Sequence, residues 1–140
     1  MKYKKLNDTW NAEPNAPEVK LIIENSSVSL IFYINTFSSE NFTENQKGIL
    51  SFKKVHKFSF NNTNDEGYYS NQYRYKNSKL PWGEFYSLDS DWSNDFHENH
   101  LIILPFNKNL MNHKHFIFFL KDNTFECVAE SFEFNLLNHP

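Results

Sequence analysis

Residues 19–34 read Val19-Lys20-Leu21-Ile22-Ile23-Glu24-Asn25-Ser26-Ser27-Val28-Ser29-Leu30-Ile31-Phe32-Tyr33-Ile34, and they decide the fold class. Side chains alternate across an extended chain with a period of two. Val19, Leu21 and Ile23 therefore share one face, and so do Val28, Leu30, Phe32 and Ile34. Asn25-Ser26-Ser27 between the two runs supplies turn chemistry, so the stretch reads as a β-hairpin.

The same period continues outward. In residues 49–60, Leu50, Phe52, Phe58 and Phe60 share one parity and Val55 takes the other, which predicts a third strand with a bulge or bend near Lys53-Lys54. Residues 61–67 are a loop by composition. Tyr69, Tyr73 and Tyr75 then alternate as a fourth strand ending before Pro81. Residues 82–88 predict a short strand, residues 90–99 a loop or one helical turn, and residues 101–104 a compact apolar strand stopped by Pro105. Residues 116–120 and 125–134 form a last hairpin around Lys121-Asp122-Asn123-Thr124. In its second arm Phe125, Cys127 and Ala129 alternate with Glu126, Val128 and Glu130. The apolar parity changes by Phe132 and Phe134, predicting a second bulge. Seven or eight short strands with little helix imply a mainly-β fold, an antiparallel sandwich or barrel. Leu30, Phe32, Leu50, Phe52, Phe58, Phe118 and Cys127 are the expected core.

At 140 residues the chain is the size of one domain, spanning 1–140, because halves of that length make marginal cores. Residues 1–17 form an irregular segment, broken by Pro14 and Pro17 and laid onto the β body through Trp10. With 18% aromatic residues there is material for a core, which disordered chains lack. One cysteine rules out an intrachain disulfide, and no apolar stretch follows the basic residues at the start. These features predict a cytoplasmic chain without a secretory signal. The longest apolar run, residues 116–120, is far too short to cross a bilayer as a helix.

The net charge of -3 argues against a nucleic-acid partner, which calls for a basic face. Residues 1–60 carry eight Lys against six acids (+2), whereas residues 61–140 carry six Lys/Arg against eleven acids (-5). Much of that excess is Glu84, Asp89, Asp91, Asp95 and Glu98, with no basic residue among them and with Trp92 in their midst. Tryptophan buries a large area at interfaces while keeping a polar atom, and carboxylates steer basic partners. Glu84, Asp89, Asp91, Trp92, Asp95 and Glu98 are thus the candidate partner-binding residues. The plainer account is that the neighbouring aromatics are core and the acids ordinary solvated surface.

Catalytic and metal motifs are weak. His97-Glu98-Asn99-His100 has the look of a metal pair, but its spacing of three is not that of zinc-protease histidines, and no third ligand is indicated. His113 and His115 share a strand face without a partner carboxylate or thiol in view. Cys127 sits on the inward parity as a small hydrophobe. No serine stands in a Gly-x-Ser-x-Gly elbow. Three glycines exclude a phosphate-cradling loop. No catalytic residue, cofactor or metal is therefore expected.

Trp10-Asn11 with Pro14 and Pro17, Asn64-Asp65-Glu66-Gly67-Tyr68-Tyr69, Pro81-Trp82-Gly83-Glu84-Phe85-Tyr86 and Phe125-Glu126-Cys127-Val128-Ala129 look like a group of small uncharacterised bacterial proteins. The likeness spans nearly the whole chain. Small acidic proteins of this type resemble the immunity proteins that accompany secreted or contact-delivered bacterial toxins. The resemblance implies a cytoplasmic immunity protein, of which the contact-dependent growth inhibition kind is one type, that occludes a toxin with a basic surface. The alternatives are a small-molecule-binding β-barrel lined by the Tyr-rich fourth strand, and a hydrolase using Asp65, Glu66 or Glu84.

Overall fold

The computed structural model describes residues 2–37, 42–72, 79–96, 100–105 and 108–137. Among them the first strands are β1 (Lys2–Lys5), β2 (Lys20–Glu24), β3 (Ser27–Tyr33), β4 (Lys47–Lys53) and β5 (Lys57–Asn61). Then come β6 (Phe85–Asp89), β7 (Leu101–Ile103), β8 (Lys114–Phe119), β9 (Thr124–Ala129) and β10 (Ser131–Leu137). They make two open antiparallel sheets, β10-β4-β3-β2 and β1-β6-β8-β9-β5-β7. The mainly-β expectation holds, as a sandwich and not as a closed barrel.

The hairpin of residues 19–34 forms as read, with Leu21 opposite Leu30 and Ile23 opposite Val28. Asn25 turns it in the left-handed region, φ 57°, which asparagine tolerates. Val28, Leu30 and Phe32 are fully buried. Ile23 stays half exposed because β2 is an edge strand.

Both predicted parity breaks are real, and both carry the chain from one sheet to the other. The break in residues 49–60 separates β4 from β5, and the break before Phe132 separates β9 from β10. β4 pairs with β10 (Lys53 opposite Ser131), and β5 pairs with β9 (Lys57 opposite Val128). Residues 54, 55 and 56 therefore face only 129 and 130. One extra residue on one strand is a bulge, and it bends the ribbon sharply. Lys54 adopts φ 51° there, His56 N–H donates to Val128 O at 2.8 Å, and Glu130 N–H donates to Lys53 O at 3.0 Å.

Between the sheets the inner faces meet as an aromatic core. Phe52 lies 5.2–5.8 Å from Phe125, Phe116 and Phe85, centroid to centroid. Trp10 anchors the N-terminal segment at 4.0 Å from Phe134 and 5.9 Å from Phe32. All seven residues expected in the core are fully buried.

The six-stranded sheet is covered on its other face too. Tyr68, Leu80 and Trp82 lie over Tyr86, Leu88, Ile117 and Phe119, so β8 is buried on both sides after its first residue. No helix among the described residues is long and apolar enough to cross a membrane.

Three expectations need correction. The strand count is ten among the described residues, above seven or eight. Residues 1–17 are not wholly irregular: β1 pairs with β6, an edge strand too short and Lys-rich to show an apolar period. Tyr69 does not begin a strand. Asn64 caps α1 (Asp65–Gly67), accepting from Gly67 N–H at 2.9 Å, and a π-helical turn over Tyr68–Gln72 follows. Asn is a favoured helix cap, and this local signal overrides the tyrosine alternation. Tyr73 and Tyr75 lie outside the described residues.

Phe52→Ala is expected to lower unfolding free energy in urea by about 3–5 kcal/mol, as truncation of a buried ring does. Ile23→Ala on the edge strand should change it by only about 0.5 kcal/mol.

Candidate functional site

β6 begins just after Glu84 and ends at Asp89, so Glu84 and Asp89 are about 16 Å apart at strand rise. This divides the predicted acidic segment. Glu84 is engaged at the near end, accepting from Asn7 Nδ2 at 2.6 Å with Lys5 Nζ at 3.5 Å. Asn7 is itself buried and also accepts from Phe85 N–H at 3.2 Å. Glu84 thus fastens the N-terminal segment to β6. Glu98 lies outside the described residues.

Asp89, Asp91, Trp92 and Asp95 are brought together at the far end, around the short helix α2 (Trp92–Asp95). Asp91 opens that helix. Its carboxylate accepts from Ser93 Oγ at 2.6 Å and Asn94 Nδ2 at 2.7 Å, while Asp95 accepts from Asp91 N–H at 3.0 Å. The bonds from Ser93 and then Asn94 hold the Asp91 carboxyl below the usual carboxylate range. Asp89 and Asp91 are exposed, and Trp92 is half-buried.

Trp92 rests on β5. Lys57 Nζ lies 5.5 Å from its ring centroid and donates to its carbonyl at 3.2 Å; the same ammonium is 4.8 Å from the Phe96 ring. His56 flanks the indole at 5.8 Å. Phe96 is buried and stacks on His115 at 5.3 Å.

Beneath this corner lies a buried chain of polar groups that sequence reasoning missed. Ser90, the residue after β6, places Oγ 2.6 Å from His115 Nδ1. His115 Nε2 is 2.7 Å from Glu126 Oε2, and both side chains are fully buried. Around them Asn61 Nδ2 donates to Ser59 Oγ at 3.1 Å, and Thr124 Oγ1 donates to Thr63 O at 2.9 Å. A cleft of about 260 Å³ opens beside the chain, lined by Ser87, Asp89, Ser90, Trp92, His113 and His115 among others.

The remaining candidates separate in space. Asp65 and Glu66 are exposed on α1, where Asp65 accepts from Glu66 N–H at 2.8 Å. Asp65 also lines a wider cleft of about 390 Å³ with Trp82, Glu13 and Asp122. The Cys127 thiol is fully buried, and burial followed by the Glu126 charge pushes its pKa well up. It is a packed hydrophobe, as read. His113 Nε2–H donates to Lys54 O at 2.7 Å, bracing the ribbon bend. His97 lies outside the described residues and His100 is exposed. No group of three or more His, Cys, Asp or Glu among the described residues is placed to hold a metal ion. Comparison with protein-family models, curated proteins and solved structures finds no match to this chain.

Removing one partner from a buried hydrogen bond leaves the other polar group stranded, which costs about 1–3 kcal/mol. Glu126→Ala should lower stability by that amount in urea. Replacing both members with apolar groups, Glu126→Leu with His115→Phe, should recover most of it. A double variant as unstable as the single one would mean that shape, not polarity, is what the pair supplies.

The His56 pKa is lowered by burial first, then by the positive Lys57 and by His113. Its unfolded form therefore binds protons more readily than its folded form. The contribution of His56 to stability is complete above its ordinary value of 6.5 and is lost as pH falls below it. Thermal melts across that range should show the loss in the wild type and a smaller one in His56→Gln.

Proposed function

We propose that this chain binds a cognate bacterial toxin and neutralises it by stoichiometric occlusion, as immunity proteins of contact-dependent growth inhibition systems do. The observation that carries the reading is the corner after β6. There Asp89, Asp91 and Asp95 flank Trp92 in the chain, and its indole stays half exposed although Lys57 and His56 hold it in place. A large aromatic fixed before contact loses little freedom on binding, which is what an interface anchor requires. The carboxylates suit a partner with a basic surface, such as the cleft of a toxin that acts on nucleic acids. The bonds from Ser93 and Asn94 favour the charged form of Asp91. Glu84 lies at the other end of β6, where Asn7 and Lys5 hold it. A single buried cysteine suits action in a reducing cytoplasm.

The test is kinetic binding to the product of the neighbouring gene at two salt concentrations. Reversing Asp89 and Asp91 to Lys should slow association, and added salt should shrink the difference as screening grows. Trp92→Ala should instead speed dissociation, costing about 2 kcal/mol or more. An association rate indifferent to charge reversal would make the segment ordinary solvated surface. A Trp92→Ala chain that fails to fold would place that ring in the core.

A further inference from the structure

We propose that Ser90 is an activated nucleophile, a site of acyl transfer from small esters, built by the Ser90–His115–Glu126 chain at the edge of the 260 Å³ cleft. The proposal goes beyond toxin binding and does not depend on it.

A serine hydroxyl is a weak nucleophile unless a base takes its proton as it attacks, and the base must in turn be oriented by a third group. Such an arrangement is recognised by geometry and roles, not by order in the chain. Here the three groups come from the residue after β6, from β8 and from β9. The separations of 2.6 and 2.7 Å are within hydrogen-bond reach, the first for proton transfer from Ser90 to His115 and the second for orientation of the imidazole by Glu126. With Glu126 accepting from His115 Nε2–H, the Nδ1 lone pair faces the Ser90 hydroxyl. His115 and Glu126 are fully buried, and Phe96 stacks on the imidazole, so the ring is fixed and shielded from water. Ser90 itself is half-buried and lines the cleft. Cys127, by contrast, is sealed in the core with its thiol pushed up.

In the reaction, Ser90 Oγ bonds to the ester carbonyl carbon as its proton passes to His115 Nδ1. The ester C–O bond then breaks, and the leaving alkoxide takes that proton from His115. The products are acyl-Ser90 and a free alcohol, with no change of oxidation state. Lys114 also lines the cleft and is the positive charge there on which a developing oxyanion can draw. A volume of about 260 Å³ lies at the small end of ligand pockets and favours short acyl groups.

Ser87 lines the same cleft and serves as the internal control. The folded chain is treated with p-nitrophenyl acetate, and acetylation at each serine is followed by peptide mapping. Ser90 should acetylate about 100-fold faster than Ser87, the scale that a positioned general base supplies. The preference should vanish in urea, and Ser90→Ala should remove the fast phase while leaving the fold intact. Acetylation confined to lysines, or a Ser90 rate no greater than that of Ser87, would overturn the proposal. So would a preference that survives unfolding, because it would then owe nothing to His115.

Discussion

The structure depends on one paired crossing. β4 with β5 and β9 with β10 form a two-stranded ribbon that passes from one sheet into the other and keeps its partner throughout. The extra residue among 54–56 provides the bend, because a bulge concentrates twist and curvature at one point. Val55 N–H is taken by Ser26 O at 2.8 Å, so the β2–β3 turn holds the bend on its inner side. Since both strands turn together, backbone groups at the corner keep partners, and the inner faces are set against each other with their phenylalanines between them.

The crossing also determines which residues the six-stranded sheet must cover. β8 and β9 lie at its centre, with β6 and β5 as neighbours on either side and Phe52 of the other sheet packed against their inner face. Their outer side chains include His115, Thr124 and Glu126 beside Ile117, Phe119 and Val128. The excursion between β5 and β8 closes over that face, Tyr68 and Trp82 above the apolar part and Ser90 with Phe96 above the polar part. A carboxylate there is tolerable because it meets an imidazole directly; alone it would incur a large desolvation penalty.

The acidic corner and the buried chain are consequently neighbours. Ser90 belongs to the chain, and the next residue, Asp91, opens the helix that carries Trp92. A group that fixes Ser90 also fixes the start of α2, and Phe96 at its end is clamped between His115 and the Lys57 ammonium. The exposed carboxylates of Asp89 and Asp91 are thereby displayed on a backbone held from below.

Much of the sandwich was legible in sequence because its signal is local. Period-two alternation in residues 28–34 and 49–60 identifies strands and their inner faces, and the parity breaks near Lys53-Lys54 and before Phe132 mark the bends. What lay beyond a break was not legible, since a bulge and a change of sheet leave the same trace in one dimension. The candidate site was legible in part. Asp89, Asp91, Trp92 and Asp95 lie within seven residues, so a turn keeps them together, whereas an extended strand carries Glu84 away. Glu126 read as an outward acid because alternation assumes one wet face. The unbroken apolar run of residues 116–120 was the signal that this sheet is buried on both sides. The meeting of Ser90, His115 and Glu126 was decided only by the tertiary structure, because strand register across β8 and β9 and closure of the covering segment set those distances, and neither is written in any local pattern.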